Sequence, residues 1–123
     1  MLNTNNDQEL KNIFFEEAQS LIDRMRKDIS ALQEKQKPGY QIDSLDGQPD
    51  ENPVIINRLL RDAHTIKSNS GIMGYEDLRQ AAESLEKILK STRDEESTVT
   101  ASVISSLAEN VEACRKLLHR KRQ

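Results

Sequence analysis

The sequence predicts an all-α protein, an antiparallel up-down four-helix bundle, and three observations lead to this prediction. Apolar residues recur at intervals of three and four along four separate stretches, which is the spacing of one face of an α-helix. The 123 residues include only four glycines and three prolines, too few for a turn-rich β architecture. Most links between the stretches are short, which favours antiparallel neighbours around one core. We therefore expect a single domain over residues 1–123.

A long first helix is predicted over about residues 7–36, followed by a long polar loop over residues 37–52. Charged and amide side chains fill the positions between the apolar residues of the helix, so one face meets the core and the other meets water. Pro38 and Gly39 end the helix, and the connection after them exceeds the usual helix–helix link. The apolar stripe comprises Leu10, Ile13, Phe14, Ala18, Leu21, Ile22, Met25, Ile29 and Leu32.

The second helix is predicted over about residues 53–72. Asn52 is a good N-cap residue, and Pro53 suits the first helical position, where a backbone N–H has no partner within the helix. Gly71 and Gly74 each weaken a helix interior by ~1 kcal/mol relative to alanine, so we expect the helix to end between them. Its inward row is Ile56, Leu59, Ala63, Ile66 and Ser70.

Two further helices complete the predicted bundle, over about residues 75–91 and 101–120. Acidic residues open the third helix, where the helix dipole favours negative charge. The polar residues 92–98 are predicted as a turn, and Thr100 is the expected N-cap of the fourth helix. The inward rows are Leu78, Ala81, Ala82, Leu85, Ile88 and Leu89 on the third helix, and Val103, Leu107, Val111, Cys114, Leu117 and Leu118 on the fourth.

Composition and charge argue against several classes of function. The formal net charge is −3, whereas a nucleic-acid-binding protein usually carries a basic excess. No apolar run approaches the ~20 residues that span a bilayer, and the N-terminus lacks the features of a signal peptide. The single Cys114 forms no internal disulfide and suits a reducing compartment. We expect a cytoplasmic protein that binds neither nucleic acid nor membrane and is a monomer in isolation.

The candidate functional site lies around His64 in the second helix. Lys67 follows His64 by three residues and shares its face, and Ser68 and Gly71 leave that face without bulky side chains. A neutral imidazole nitrogen can attack phosphorus and hold the phosphoryl group as a phosphoramidate. The lysine can neutralise the phosphoryl oxygens, and the cleared surface gives space to a donor protein. This pattern is the one that a phosphoryl-accepting histidine needs.

Such a site also needs an acceptor for the second ring nitrogen, and the third helix offers Glu83 and Glu86 beside its core row. The sequence contains no phosphate-binding glycine loop and no nucleotide motif, so we do not expect the chain to use ATP by itself. No metal site or cofactor is expected either, because the two histidines and one cysteine lie far apart without ligand spacing.

Three other interpretations stay open on the residues alone. In the first, His64 is an ordinary boundary histidine of a helical bundle. In the second, the chain is a non-catalytic helical adaptor or scaffold whose groove binds a partner helix. In the third, a small hydrolase uses His64 as a base, although the sequence supplies no recognisable nucleophile–base pair. Labelling with phosphate separates these interpretations from phosphotransfer.

Three segments carry a family resemblance: residues 63–75 (AHTIKSNSGIMGY), 14–18 (FFEEA) and 84–89 (SLEKIL). The first of them resembles the phosphoacceptor motif of histidine phosphotransfer (HPt) domains. All three resemble most the N-terminal phosphoacceptor domain of chemotaxis-type (CheA-like) histidine kinases. The similarity extends over about residues 8–118, and the histidine motif is its specific part.

The resemblance implies a role for each residue of the motif. It implies that His64 accepts a phosphoryl group, that Lys67 neutralises it, and that Glu86, rather than Glu83, accepts a hydrogen bond from the imidazole. It also implies two partners, the catalytic domain of a histidine kinase as donor and the receiver domain of a response regulator as acceptor. The chain is then a relay intermediate and a carrier more than an enzyme.

The chain departs from the family pattern in four places. Ser68 stands where glycine usually follows the lysine, and Glu83 stands where the chemotaxis class commonly has histidine. The loop over residues 37–52 resembles an insertion, and we do not expect the fifth helix of the chemotaxis class within these 123 residues. Serine is still small, so we expect access to the histidine to survive.

Overall fold

The computed structural model of the chain describes residues 4–36, 52–94 and 99–123. The polar loop predicted over residues 37–52 lies outside this description apart from Asn52. That residue, predicted as a cap, is the first residue of the second helix. The four helices are α1 (Thr4–Lys35), α2 (Asn52–Met73), α3 (Glu76–Asp94) and α4 (Ala101–Arg122).

Ion pairs between α1 and α2 show that these two helices run in opposite directions. Arg24 on α1 pairs with Asp62 on α2, whereas Arg58, one turn earlier on α2, pairs with Asp28, one turn later on α1. The helices contact each other in the ring order α1, α2, α3 and α4, and α4 packs back against α1. The fold is the antiparallel up-down four-helix bundle that the sequence predicted.

The apolar rows of the four helices meet in one core. All five residues of the row predicted on α2 are buried. Cys114 on α4 is completely buried, and this burial raises the pKa of its thiol to about 12, so it packs as a small apolar side chain. The largest fully buried apolar side chains are Ile22, Met25, Leu32, Leu59, Ile66, Leu78, Leu85, Leu89, Leu107, Val111 and Leu118.

Aromatic side chains close one end of the core. The ring centroids of Phe14 and Phe15 on α1 lie 5.4 Å and 6.1 Å from that of Tyr75, which links α2 to α3. The prediction that Leu10 and Ile13 belong to the buried stripe was wrong, because they are 57% and 58% exposed. The aromatic rings already fill this end of the core, so these two apolar side chains remain on the surface.

A glycine turn ends α2 and returns the chain as α3. Gly74 has a φ of +78°, a left-handed conformation that costs glycine little. The N–H of Gly74 donates to the carbonyl of Gly71 (3.1 Å), and that of Tyr75 donates to the carbonyl of Ser70 (2.9 Å). These two bonds form a Schellman motif, so the helix ends between the two glycines as predicted.

The third helix is longer than predicted. It continues through Asp94, so the prediction of a turn from Thr92 was wrong for its first residues; the rest of that turn lies outside the described residues. Polarity alone does not end a helix, and the Oγ1 of Thr92 donates to the carbonyl of Ile88 (2.8 Å) without leaving helical geometry. The predicted N-cap of α4 is confirmed, because the hydroxyl of Thr100 accepts a hydrogen bond from the N–H of Val103 (3.2 Å).

Candidate functional site

His64 stands on the outer side of the α2–α3 interface. Its side chain is 62% exposed, yet its Nδ1 lies 3.3 Å from Oε2 of Glu86, whose side chain is only 4% exposed. The other ring nitrogen, Nε2, lies on the far side of the ring from Nδ1. The structure thus anchors one nitrogen of an accessible imidazole to a nearly buried carboxylate.

The Glu86 carboxylate receives three donors. Lys67 Nζ lies 3.1 Å from it and Lys90 Nζ lies 2.8 Å from it, in addition to the contact with His64. Burial raises the pKa of Glu86, but the hydrogen bonds from Lys90, Lys67 and His64 outweigh burial and lower that pKa to about 2. Glu86 is therefore a carboxylate at neutral pH and accepts hydrogen bonds without donating one.

The register of α2 against α3 brings these residues together. His64 contacts Glu86. Seven residues later on α2, a Cβ built on Gly71 would lie 3.5 Å from Cδ of Arg79, which precedes Glu86 by seven residues on α3. The two antiparallel helices therefore keep the same register between these two contacts. This register follows from the tight turn at Gly74 and from the buried rows on both helices. It places Glu86 within reach of the histidine motif.

The predicted alternative acceptor, Glu83, lies outside this group. Its Oε2 accepts a hydrogen bond from Nη1 of Arg79 at 3.0 Å, and its side chain is 38% exposed. Glu83 precedes Glu86 by almost one turn and faces a different part of α2. Of the two carboxylates that the sequence offered, the structure thus brings Glu86 to His64.

Ser68 and Gly71 are exposed on the same helix as His64. The Cβ that an alanine would add at Gly71 meets only Arg79, at ordinary van der Waals distance. Internal packing therefore does not require glycine at this position.

An exposed apolar patch, formed by Leu10, Ile13 and Ile72, lies beyond these small residues. Ile72 is 82% exposed and follows His64 by eight residues, which corresponds to ~12 Å along the helix axis. Leu10, Ile13 and Ile72 line one shallow groove between α1 and α2 together with Met73. Solvent-exposed apolar groups in such a patch are typical of a surface that binds another protein.

Sequence reasoning missed two features of this region, Lys90 and the apolar patch. Lys90 follows Glu86 by four residues, and a glutamate followed by lysine at that spacing is a recognised helical ion pair, so the signal was present. The patch was missed because the apolar residues of α1 were all assigned to the core. Only the position of the aromatic rings shows which of them stay outside.

The arrangement favours one tautomer of the imidazole. When Nδ1 carries the proton, it donates to the Glu86 carboxylate, and Nε2 keeps a free lone pair. Attack by that lone pair on an electrophile makes the ring positive, and the adjacent carboxylate stabilises this charge. Within residues 4–36, 52–94 and 99–123, no group of three or more histidine, cysteine, aspartate or glutamate side chains is arranged to hold a metal ion.

Comparison with known proteins agrees with this chemistry. The family model described as the Hpt domain matches residues 9–120. A chemotaxis protein CheA of Borreliella burgdorferi is 23% identical over 112 residues, which cover 91% of this chain and 11% of that protein, so the chain spans about a tenth of its relative. A search of the solved structures finds no significant match. The chain thus belongs to the Hpt domain family and is a phosphotransfer intermediate of two-component signalling.

Proposed function

We propose that His64 is the residue that carries the phosphoryl group. The observation that supports this assignment most directly is that the His64 side chain is 62% exposed, yet its Nδ1 contacts the nearly buried carboxylate of Glu86. An ordinary boundary histidine needs no such anchor. A phosphoacceptor histidine needs such an anchor, because the anchor orients the ring and keeps the proton on Nδ1, so that the lone pair of Nε2 is free to attack.

Lys67 and Glu86 act on either side of that histidine. Glu86 orients the imidazole and stabilises the positive charge that develops on the ring during attack. Lys67 is 25% exposed and ends in a single rotatable ammonium group, so it can turn from Glu86 toward phosphoryl oxygens. These are the roles that the sequence assigned, and the distances between the three side chains support them.

The docking surface comprises Ser68 and Gly71 together with the apolar patch. The small residues let a partner approach the imidazole closely, and the apolar side chains provide area that loses contact with water on binding. The donor that fits is the catalytic domain of a histidine kinase, and the acceptor is the receiver domain of a response regulator. The relative named as a chemotaxis protein favours a chemotaxis-type pathway.

The protein acts as a cytoplasmic monomer and a phosphocarrier, with residues 1–123 as one domain. It contributes the nucleophile and the docking surface, while ATP, metal ions and the acceptor aspartate belong to its partners. No helix of residues 4–36, 52–94 or 99–123 is long and apolar enough to cross a bilayer. The net charge of −3 argues against a nucleic-acid partner.

The decisive experiment labels the chain with phosphate from radioactive ATP. The donor is a chemotaxis-type kinase that lacks its own phosphoacceptor domain, and the comparison is with His64→Gln. We expect an acid-labile, base-stable label that the variant loses completely, whereas His119→Gln keeps it. If neither a panel of kinases nor phosphoramidate labels the wild-type chain, the helical adaptor interpretation replaces phosphotransfer.

A second experiment tests the role of Glu86. We expect Glu86→Ala to slow phosphorylation by about tenfold, the lower end of the effects seen when a partner that orients a histidine is removed, while circular dichroism shows an intact bundle. Glu83→Ala is the matched control, because Glu83 pairs with Arg79 and does not reach His64. Equal rates for Glu86→Ala and the wild type would show that the imidazole is oriented in another way.

A further inference from the structure

Lys90 belongs to the site through its contact with Glu86, but it lies outside the histidine motif of residues 63–75. Its Nζ lies 2.8 Å from Oε1 of Glu86, closer than Lys67 Nζ at 3.1 Å. Lys90 belongs to α3, as Glu86 does, whereas Lys67 reaches the carboxylate from α2. Two ammonium groups from different helices thus share one nearly buried carboxylate.

Along the helix axes, the two lysines are displaced in opposite directions from the His64–Glu86 contact. From His64, Lys67 is displaced by three residues, or ~4.5 Å, toward the C-terminus of α2. From Glu86, Lys90 is displaced by four residues, or ~6 Å, toward the C-terminus of α3, which points the other way because the helices are antiparallel. The two lysines therefore reach the carboxylate from different helices and different directions.

Charge shows why one lysine is not enough. A phosphoryl group on His64 adds a charge of about −2 beside a carboxylate of charge −1. If Lys67 turns to the phosphoryl oxygens, Lys90 remains as an ammonium partner of Glu86. Without that partner, the nearly buried carboxylate faces both its desolvation cost and repulsion from the phosphoryl group, so its charged form is less stable and its hold on the imidazole weakens.

We propose that Lys90 is a positioning residue, which stays paired with the Glu86 carboxylate and keeps it directed at His64 while Lys67 turns to the phosphoryl group. The inference rests on the proposed role of His64. In the step itself, the Nε2 lone pair forms the N–P bond as the bond from phosphorus to the leaving group breaks, and the leaving group keeps that electron pair. The positive charge then resides on the ring, with the Nδ1 proton facing Glu86.

The kinetic test uses phosphoramidate as donor, so that no kinase contact is involved. The leaving group is ammonia, and the rate of label formation on the full chain is measured for Lys90→Met, Lys90→Arg and Lys87→Met. We expect Lys90→Met to react about fivefold more slowly, a typical coupling for residues in contact, and Lys90→Arg to restore most of the rate. Lys87 is exposed on the same helix and is the matched control, with an unchanged rate.

A double-mutant cycle shows whether Lys90 acts through Glu86. We expect Lys90→Met to have no further effect in a Glu86→Ala background, because the group that it positions is gone. A loss of the same size in both backgrounds would overturn the proposal, since Lys90 would then act directly on the phosphoryl group. A wild-type rate for Lys90→Met would also overturn it.

A measurement without phosphorylation completes the test. Carbon NMR of the Glu86 carboxyl follows its titration, and we expect its pKa to rise by about one in Lys90→Met and to stay unchanged in Lys87→Met. An unchanged titration of Glu86 in Lys90→Met would overturn the proposal. Failure of the wild-type chain to accept label is a separate result, which contradicts the proposed role of His64 and leaves the titration to decide whether Lys90 controls Glu86.

Discussion

Both interfaces of α2 contain buried carboxylates, but the two interfaces hold them in different ways. Against α1, nearly buried Asp62 and Asp28 are each bound by an arginine through two hydrogen bonds. Against α3, the Glu86 carboxylate is shared by a histidine and two lysines, and the Nζ of Lys67 lies 3.1 Å from both of its oxygens. One helix therefore has a fixed polar interface on one side and an exchangeable one on the other.

The difference follows from the shapes of the cations. A guanidinium group is planar and matches both oxygens of a carboxylate at once, so it holds Asp62 or Asp28 in one geometry. An ammonium group is a point charge on a flexible chain and is replaced by another without rebuilding the site. The arginine pairs hold α1 and α2 in register, whereas the lysines bind Glu86 through flexible side chains.

The largest effect is expected from Arg24→Met, which leaves Asp62 buried without its guanidinium partner. Breaking such a pair from one side costs about 3 kcal/mol of unfolding free energy, because Asp62 is only 1% exposed. Urea denaturation measures this loss. The control is Arg26→Met, which removes an exposed pair with Glu112 at 3.3 Å and should change stability by less than ~1 kcal/mol. Similar losses of unfolding free energy for both variants would mean that burial of the carboxylate does not make the Arg24–Asp62 pair more stabilising than the exposed pair.

The next effect is the pH dependence that Glu86 contributes to stability. Its pKa in the folded protein is about 2, below the ordinary value of 4.5, so the folded state favours the carboxylate. The stabilisation is complete above pH 4.5 and is lost as the pH falls toward 2, with about 2 kcal/mol gone between pH 6 and pH 3.

Urea denaturation of the wild type and Glu86→Gln at both pH values isolates this contribution, because the other carboxylates are common to the two proteins. We expect the wild type to lose about 2 kcal/mol more than the variant over that range. The same loss in both proteins would show that the lysines and His64 do not hold Glu86 ionised. The shared carboxylate would then resemble an ordinary surface glutamate.

The smallest effect on stability is expected from a substitution at Gly71, on the exposed surface of α2. We expect Gly71→Ala to raise stability by up to ~1 kcal/mol, since alanine favours a helix and the added methyl group meets only Arg79 at ordinary contact distance. Labelling by phosphoramidate should be unchanged, while transfer to a receiver domain slows. A stabilised variant with normal transfer would remove Gly71 from the docking surface and leave Ser68 and the apolar patch.

Helical periodicity predicted the bundle and most of its core, because the spacing of apolar residues in each amphipathic stretch shows which face of that helix is buried. It failed for Leu10 and Ile13, which share the spacing of the core residues but lie where Phe14, Phe15 and Tyr75 already close the core. It also failed at Thr92, because a polar segment without glycine or proline continues a helix as readily as it ends one.

The sequence alone determined the local half of the site. His64, Lys67, Ser68 and Gly71 share a helix face by their spacing, and no other part of the chain is needed to see it. The tertiary structure decided which carboxylate meets the histidine and that Asp62 is buried against Arg24. Those contacts depend on the register between helices, which is set by the packing of whole faces and not by any single segment.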